Sequence, residues 1–527
     1  MDSDRRSLRW LIAIPTLFLA YFFVYPLVSI LWVSLTTGDG RPWAEVLQTA
    51  RIGRVAWFSV WQATASTILT VTLGLPVAWA FSRFDFPGRR LLRAAMTIPF
   101  VMPTVVVAAA FMVLFGRTSA FPLLETVWII LIAHVFYNLA VVVRVVGGMW
   151  ESVDDRLVQA ARTMGANRWK AFRTVTLPLL RPAIAAAGAI VFLFSFTSFG
   201  VVLLLGGIRY STIEVAVWRR YFLLDLQGAA TLAVIQLIGV TAVLTVYARW
   251  QRKRQTQQSV RAGRLPAPIG WKQRTIVFGI IGLALIAELG PLVTLVLRSF
   301  TTADGFGFSN YTALTAPDSA FLVTPATAIG NSLQFGLASM ALAVFVGGLA
   351  SIVIAARRNS TWFDTLLMLP LGTSAVTIGF GFVIALDWPI DLRTSVLLVP
   401  IAHALVAIPF VVRTTVPVLA SIRNHLREAA ATLGASPRQV LRKIDFPIAA
   451  KALAAGGGLA FAVSLGEFGA TSFIARPNAP TLPVAIFRFL ARPAEASFGK
   501  AMAMSTILML VTAVVILAID GYRAGDL

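Results

Sequence analysis

Twelve stretches of mostly apolar residues, each about 20 residues or longer, recur along this chain, and about 20 apolar residues in a helix are what a ~30 Å hydrocarbon layer requires. They lie at 10–35, 55–82, 94–115, 126–149, 183–207, 226–248, 275–298, 328–355, 364–387, 395–417, 452–475 and 499–520. Lipid offers backbone N–H and C=O groups no hydrogen-bond partner, so only helices or a closed barrel can cross it. The runs are continuous rather than alternating and too long for tilted strands, which predicts helices. Composition agrees, because 13% of the 527 residues are charged and 58% are hydrophobic, too little polar surface to enclose such a core in water. The first run is too long for a signal-peptide core and is followed by no small-residue cleavage site, so it is expected to remain as the first span.

The net charge of +22 does not point to nucleic acid, because the basic residues lie between apolar runs and not on a polar domain. No nucleic-acid partner is expected. The chain has no cysteine, which excludes disulfides and thiolate metal sites, and its histidines are His134, His403 and His425. No metal site is expected. With the amino terminus placed inside, 30 Lys and Arg fall in inside segments and 13 in outside loops, with Arg144 and Arg413 left in the membrane. That excess predicts a multi-pass protein, embedded in a lipid bilayer, with both termini cytoplasmic. The segment 249–274 holds eight basic residues and no acid. It is expected to be a tether touching lipid headgroups, between a first six-helix unit at 1–248 and a second at 275–527.

Those two units are copies. At an offset of 269 residues, His134 matches His403, Arg144 matches Arg413, Gly165 matches Gly434, Pro178 matches Pro447, Phe199-Gly200 matches Phe468-Gly469 and Thr212 matches Thr481. Ser59 near Gln62 resembles Ser332 near Gln334 more loosely. Six spans separate the copies, so the expected fold is all-α and transmembrane, with twelve helices as two parallel six-helix repeats about an axis along the membrane normal. A shared pathway would lie between the halves.

Each copy places a polar loop between its fourth and fifth spans. The first reads Gln159-Ala160-Ala161, then Gly165 and Pro178; the second reads Glu428-Ala429-Ala430, then Gly434 and Pro447, with thirteen residues from glycine to proline in both. The pattern predicts a short helix, a glycine turn, a second amphipathic helix, and a proline where the chain re-enters the membrane. Small alanines would let another protein approach closely. These loops resemble the EAA motif, E-A-A-x₃-G-x₉-I-x-L-P, of the permease subunits of bacterial ABC importers. The second copy matches at Glu428, Ala429, Ala430, Gly434, Ile444 and Pro447, with Phe446 in place of leucine. The first matches at Ala160, Ala161, Gly165, Leu177 and Pro178, with Val175 for isoleucine, and departs from it at Gln159. The resemblance implies a type I ABC importer (MetI-like) fold in the bacterial inner membrane. It also implies two cytoplasmic ATPase subunits docked on the loops and an extracytoplasmic substrate-binding protein. No cofactor would be bound by this chain, since no G-x-x-x-x-G-K-[ST] loop occurs in it; ATP and Mg would belong to the ATPase, and the chain would be a transport subunit and not an enzyme. Two fused halves, with segments such as Phe58-Ser59-Val60-Trp61-Gln62 and Ser211-Thr212-Ile213-Glu214, are similar to the iron(III) and thiamine importer permeases.

Within the spans, Glu467 in Gly466-Glu467-Phe468-Gly469 stands out, because a carboxylate in the bilayer must face a partner or a water path. Its repeat mate is Ser198. Glu467, Ser198 and Asn138 are the candidate pathway residues, while His134, Tyr137 and His403 suit helix–helix hydrogen bonds. Arg144 and Arg413 are expected to end their spans and snorkel to the cytoplasmic side. One alternative is an ion-gradient-driven transporter of the major-facilitator type, because Asp85-Phe86-Pro87-Gly88-Arg89 loosely resembles that family's D-x-x-G-R loop. That family has no paired EAA loops.

Overall fold

The computed structural model describes residues 2–36, 48, 51–117, 119–252, 265–302, 305–318, 322–356, 361–422, 424–492 and 494–524. The middle of the expected tether, 253–264, and the side chain of His425 lie outside the described residues. Among those described, ten helices are long and apolar enough to cross a membrane. In the first half these are α1 (Leu11–Thr36), α2 (Ile52–Arg83), α5 (Val127–Ser152), α7 (Arg168–Phe196) and α10 (Leu226–Arg249). In the second they are α11 (Gly270–Ser299), α12 (Thr327–Ala355), α15 (Leu398–Ser421), α17 (Leu441–Gly466) and α20 (Glu495–Ile519).

The third and ninth runs are not straight spans. Each is a bent pair: α3 (Arg89–Val101) meets α4 (Thr104–Phe115) at 99°, and α13 (Trp362–Gly372) meets α14 (Ala375–Ala385) at 97°. In the first pair Pro103 has no N–H to donate and forces Met102 into an extended conformation, with ψ 140°. In the second, extended Ser374 turns its hydroxyl back to accept the Val376 N–H at 3.1 Å, so the break doubles as an N-cap. Both pairs still pass from one end of the bundle to the other. Arg89 and Arg93 hold Glu151 at the C-terminal end of α5, at 2.6 and 2.7 Å. The N–H groups of Leu123 and Leu124, just ahead of α5, donate to Phe115 O at the far end of α4. Likewise Asp364 near the start of α13 pairs with Arg413 toward the end of α15, at 3.5 Å, while a short segment joins α14 to the start of α15. Each half therefore crosses six times, and the halves keep the same orientation.

The fifth and eleventh spans begin earlier than their apolar runs. The amphipathic segment and the membrane segment are one rod in each half, running through π-helical turns at Phe172–Thr176 and Leu441–Asp445. Those turns shift the hydrogen-bond ladder just ahead of Pro178 and Pro447, which lack the donor that an unbroken α-ladder would need. The expected re-entry at proline is thus a continuous helix. The same two spans stop sooner than their runs, at Phe196 and Gly466.

The halves interlock. α1 packs along α14 of the second half, and α11 packs along α4 of the first. Phe22 lies 6.2 Å from Phe382, and Val277, Ile281 and Ala284 fill a core with Val77, Phe81 and Val143. Inside each half the matching pairs α2–α5 and α12–α15 make the broadest contacts. At Gly379 on α14 a Cβ would sit 2.6 Å from the Cα of Ala470, a backbone atom that cannot step aside. Gly379→Ala is expected to destabilise the purified protein by about 1–3 kcal/mol. Gly279→Ala, whose Cβ meets nothing within 4 Å, is expected to leave the thermal midpoint unchanged or raise it, and melting both variants in detergent compares them.

Candidate functional site

Four helix breaks converge between the halves. They are the bends at Met102-Pro103 and Thr373-Ser374, and the ends of α7 and α17, where the chain leaves the helix before the short segments α8 (Gly200–Leu205) and α18 (Thr471–Ile474). Together they line a cavity of about 560 Å³ that also receives Asn138, Tyr137 and Arg144 from α5 and Ile516 and Ile519 from α20. Away from the loops of Gly165 and Gly434, the cavity is closed by rings. Phe199 stacks on Phe468 with centroids 5.3 Å apart, and Trp218 meets Phe487 edge-on at 5.9 Å. Phe199 also lies 6.4 Å from Trp218, and Phe468 lies 5.4 Å from Phe487. Phe199 and Phe468 are repeat mates, as are Trp218 and Phe487. Since each pair touches its own copy, the pseudo-twofold axis runs through this cluster. Trp218 and Phe487 sit on α9 (Ile213–Phe222) and α19 (Leu482–Leu490), whose first N–H groups are anchored alike: Ile213 to Ser59 Oγ at 2.9 Å and Leu482 to Ser332 Oγ at 2.7 Å.

The two membrane histidines are buried clamps. His134 Nδ1 lies 3.0 Å from Ser66 Oγ and its Nε2 lies 2.8 Å from Ser198 Oγ, so one ring ties α2, α5 and the break after α7. His403 Nδ1 lies 2.6 Å from Ser464 Oγ and its Nε2 lies 2.7 Å from Thr471 Oγ1. The expected helix–helix role for these residues fits, although the partners differ between copies: Ser66 and Ser198 in the first, Ser464 and Thr471 in the second. Asn138 Nδ2 donates to His134 O one turn back at 2.9 Å, while its buried Oδ1 has no partner.

Glu467 is not inside its span. It is the first residue beyond α17, and its carboxylate caps the next helix: Oε1 accepts the Ala470 N–H at 2.9 Å, and Oε2 accepts the Thr471 N–H at 3.1 Å and the Thr471 hydroxyl at 2.6 Å. His403 Nε2 is 3.2 Å from the same Oε2. The network closes when Nε2 carries the ring proton, donates to Thr471, and leaves Nδ1 to accept from Ser464. Ser198, the repeat mate of Glu467, lines the same cavity, and a cap is what the Glu467 carboxylate forms. Glu214 on α9 was quoted only as part of a motif, yet it also lines the cavity; its Oε1 accepts from Gln236 Nε2 at 3.0 Å and it is 3% exposed. The signal for it was a lone acid in the apolar first part of α9, 213–218.

Arg144 and Arg413 do not end their helices. α5 and α15 continue eight residues beyond each, because Arg144 faces the cavity and Arg413 is held by Asp364.

The polar loops stand apart from the cavity. α6 (Asp155–Thr163) and α16 (Asn424–Thr432) each end on a glycine with left-handed backbone, φ +89° at Gly165 and +82° at Gly434. The Ala166 N–H reaches Ala161 O at 3.1 Å, and the Ala435 N–H reaches Ala430 O at 2.9 Å, the six-to-one bond of a Schellman cap in both copies. Gln159, Ala160, Glu428 and Ala429 are exposed, Ala161 is buried and Ala430 half-buried. Pro178 is half-buried and Pro447 exposed, each at the start of its membrane segment. Beside the glycines, Met164 is 82% and Leu433 is 89% exposed, and Leu157 and Leu426, seven residues earlier on the same helix face, are exposed too. An exposed apolar stripe at matching places in two copies is a docking surface in form. The first loop is tied to its own half by charge, through Arg83 on Asp155 and the Arg89–Glu151–Arg93 cluster. Those contacts also give the arginines of the 83–93 hairpin a local structural task.

A family model described as the binding-protein-dependent transport system inner membrane component matches residues 70–257 and 339–523. The two matches start 269 residues apart, the offset of the internal repeat. The thiamine transport system permease protein of Brucella abortus is 28% identical over 86% of this chain and 85% of its own length. Its counterpart in Escherichia coli is 26% identical over 87% of both chains. The ferric transport system permease protein of Actinobacillus pleuropneumoniae is 25% identical, covering all of this chain and 79% of its own length.

Replacing Glu467 with glutamine turns one of its two acceptor oxygens into a donor that faces a backbone N–H or the Thr471 hydroxyl. Glu467→Gln is expected to destabilise the protein by about 1–3 kcal/mol, read as an earlier melting midpoint in detergent. A midpoint equal to wild type would mean that the cap is dispensable and that the carboxylate is kept for another reason.

Proposed function

This chain belongs to the family of binding-protein-dependent transport system inner membrane components, the permeases of ATP-driven importers and not of major-facilitator transporters, and from that premise we propose how it works and what it carries. The two loops dock one cytoplasmic ATPase subunit each, two copies in all, and those subunits bind ATP and Mg. An extracytoplasmic binding protein delivers the solute at the opposite end. The amino and carboxyl termini lie in the cytoplasm. The cargo is thiamine or iron(III), the solutes named for the relatives.

The observation that carries this reading is the pairing of the loops. Each offers an exposed Leu157/Met164 or Leu426/Leu433 stripe beside a Schellman glycine, and each continues without a break into a rod, α7 or α17, whose far end lines the cavity. A push on the loop is therefore transmitted by a stiff helix to the breaks. With the Phe199–Phe468 stack intact and the cavity running toward Arg144, the arrangement corresponds to the state closed on the outside. Closing the ATPases would draw the loops together and part the ring pairs on the axis.

A Cβ at Gly434 would meet nothing within 4 Å, so the penalty for valine is the left-handed backbone itself, about 1–2 kcal/mol or more for a β-branched residue. Gly434→Val is expected to give membrane-inserted protein that recovers far less ATPase subunit on pull-down. Met164→Asp with Leu433→Asp, which leave the backbone alone, should do the same. Native amounts of ATPase on both variants would refute docking at these loops. Topology has its own check on this cysteine-free chain: in intact cells an impermeant thiol reagent should label Cys at Asn478 and spare Cys at Lys272, and the reverse pattern would invert the orientation.

A further inference from the structure

The permease cavity holds a buried carboxyl group with no basic partner among the described residues. Among its lining residues Glu467 is fully engaged as a helix cap with His403 beside it, and Arg144 stands at the loop end, where it is exposed. Glu214 differs from both. It is buried, it is held only by neutral donors, Gln236 and the Ser374 side chain, and among the described residues no basic side chain pairs with it. Its repeat mate is Pro483, so the second half supplies no equivalent. It also feels the negative charge of Glu467 from the opposite half. A carboxyl group so placed in a low-dielectric interior is neutral when alone and carries its charge only beside a cation, so it can pair with one that enters the cavity.

An independent observation points the same way. Asn138 lines the same cavity, is 1% exposed, and has a side-chain oxygen without a hydrogen-bond donor. Phe100, Tyr137, Phe194 and Phe410 also face the cavity among aliphatic residues, and ring faces attract cations. We infer that Glu214, with the Asn138 carbonyl and the rings that line the cavity, forms a recognition site for an organic cation inside the permease. The pathway would then select its cargo by charge, in addition to any choice made by a binding protein. The inference rests on the importer reading above.

The test uses the whole transporter, this chain with its ATPase and binding protein in proteoliposomes, and two probes: thiamine, a permanent cation, and thiochrome, its neutral oxidation product. ATP-dependent thiamine uptake is expected to fall at least tenfold in Glu214→Gln, with co-purified ATPase unchanged, and to recover in part in Glu214→Asp. A binding measurement on the detergent-purified chain stands beside it. Wild type should bind thiamine at least tenfold more tightly than thiochrome, and both Glu214→Gln and Asn138→Ala should erase that preference while keeping a wild-type elution profile. ATP-dependent uptake that Glu214→Gln leaves unchanged, whether of thiamine or of iron(III), would overturn the cation site and leave the importer reading standing. Wild-type transporter with no ATP-dependent uptake of either solute would bring down the reading beneath it.

Discussion

A helix that stops inside an apolar layer leaves N–H and C=O groups that lipid cannot satisfy, and this protein stops helices at four places around one cavity. Each stop is sealed by a side chain. Ser374 caps α14, the Glu467 carboxylate caps α18, and Thr212 donates its hydroxyl to Ser198 O at 2.9 Å after α7 ends. At the fourth, Pro103 removes the donor. The polar residues of the membrane interior are mostly there because the helices break, and the helices break where the halves must part. The histidine clamps belong to the same logic: His134 fastens the break after α7 to α2 and α5, and His403 fastens both sides of the break between α17 and α18 to α15.

That account separates what the sequence could reveal from what it could not. Span number, the 269-residue repeat and the parallel halves follow from hydropathy and spacing, and so does the glycine turn of each loop, since only a left-handed residue closes a Schellman cap at Gly165 and Gly434. Bends near a right angle were hidden, because an apolar run reads the same straight or folded. Pro103 was a visible cue in the first half, but the matching break in the second is made by Ser374, which carries no such mark. Glu467 was found as an anomaly but placed inside a run expected to reach 475, since hydropathy has no means of ending α17 at Gly466. The aromatic cluster was in plain view as Phe199 and Phe468, yet contact between repeat mates appears only once the axis is located.

The two halves are alike in architecture and unequal in chemistry. One copy has Ser198 where the other has Glu467, Gln159 where the other has Glu428, and Glu214 where the other has Pro483. The first loop is braced by Arg83, Arg89 and Arg93 against Asp155 and Glu151, positions that are Asn424 and Ala420 in the second. Fusing the copies into one chain permits this, because a residue can change on one side of the axis without changing on the other. A homodimer would place two unbalanced carboxylates at Glu214 and duplicate the bracing.

Rotation about an axis gives no displacement on the axis and the largest displacement far from it. The ring pairs Phe199–Phe468 and Trp218–Phe487 straddle the axis, where symmetric motion of the halves must either separate them or slide them past each other. The loops at Gly165 and Gly434 lie at the ends of long rods, where a small push has leverage. The swapped packing of α1 on α14 and of α11 on α4 keeps the halves from drifting apart while they turn. Stacked aromatics suit that position, because offset rings hold about 0.5–1.5 kcal/mol beyond simple burial, enough to favour contact and small enough to be broken. Polar seals at the breaks fix the shape of each half, and weak apolar seals on the axis let the halves move.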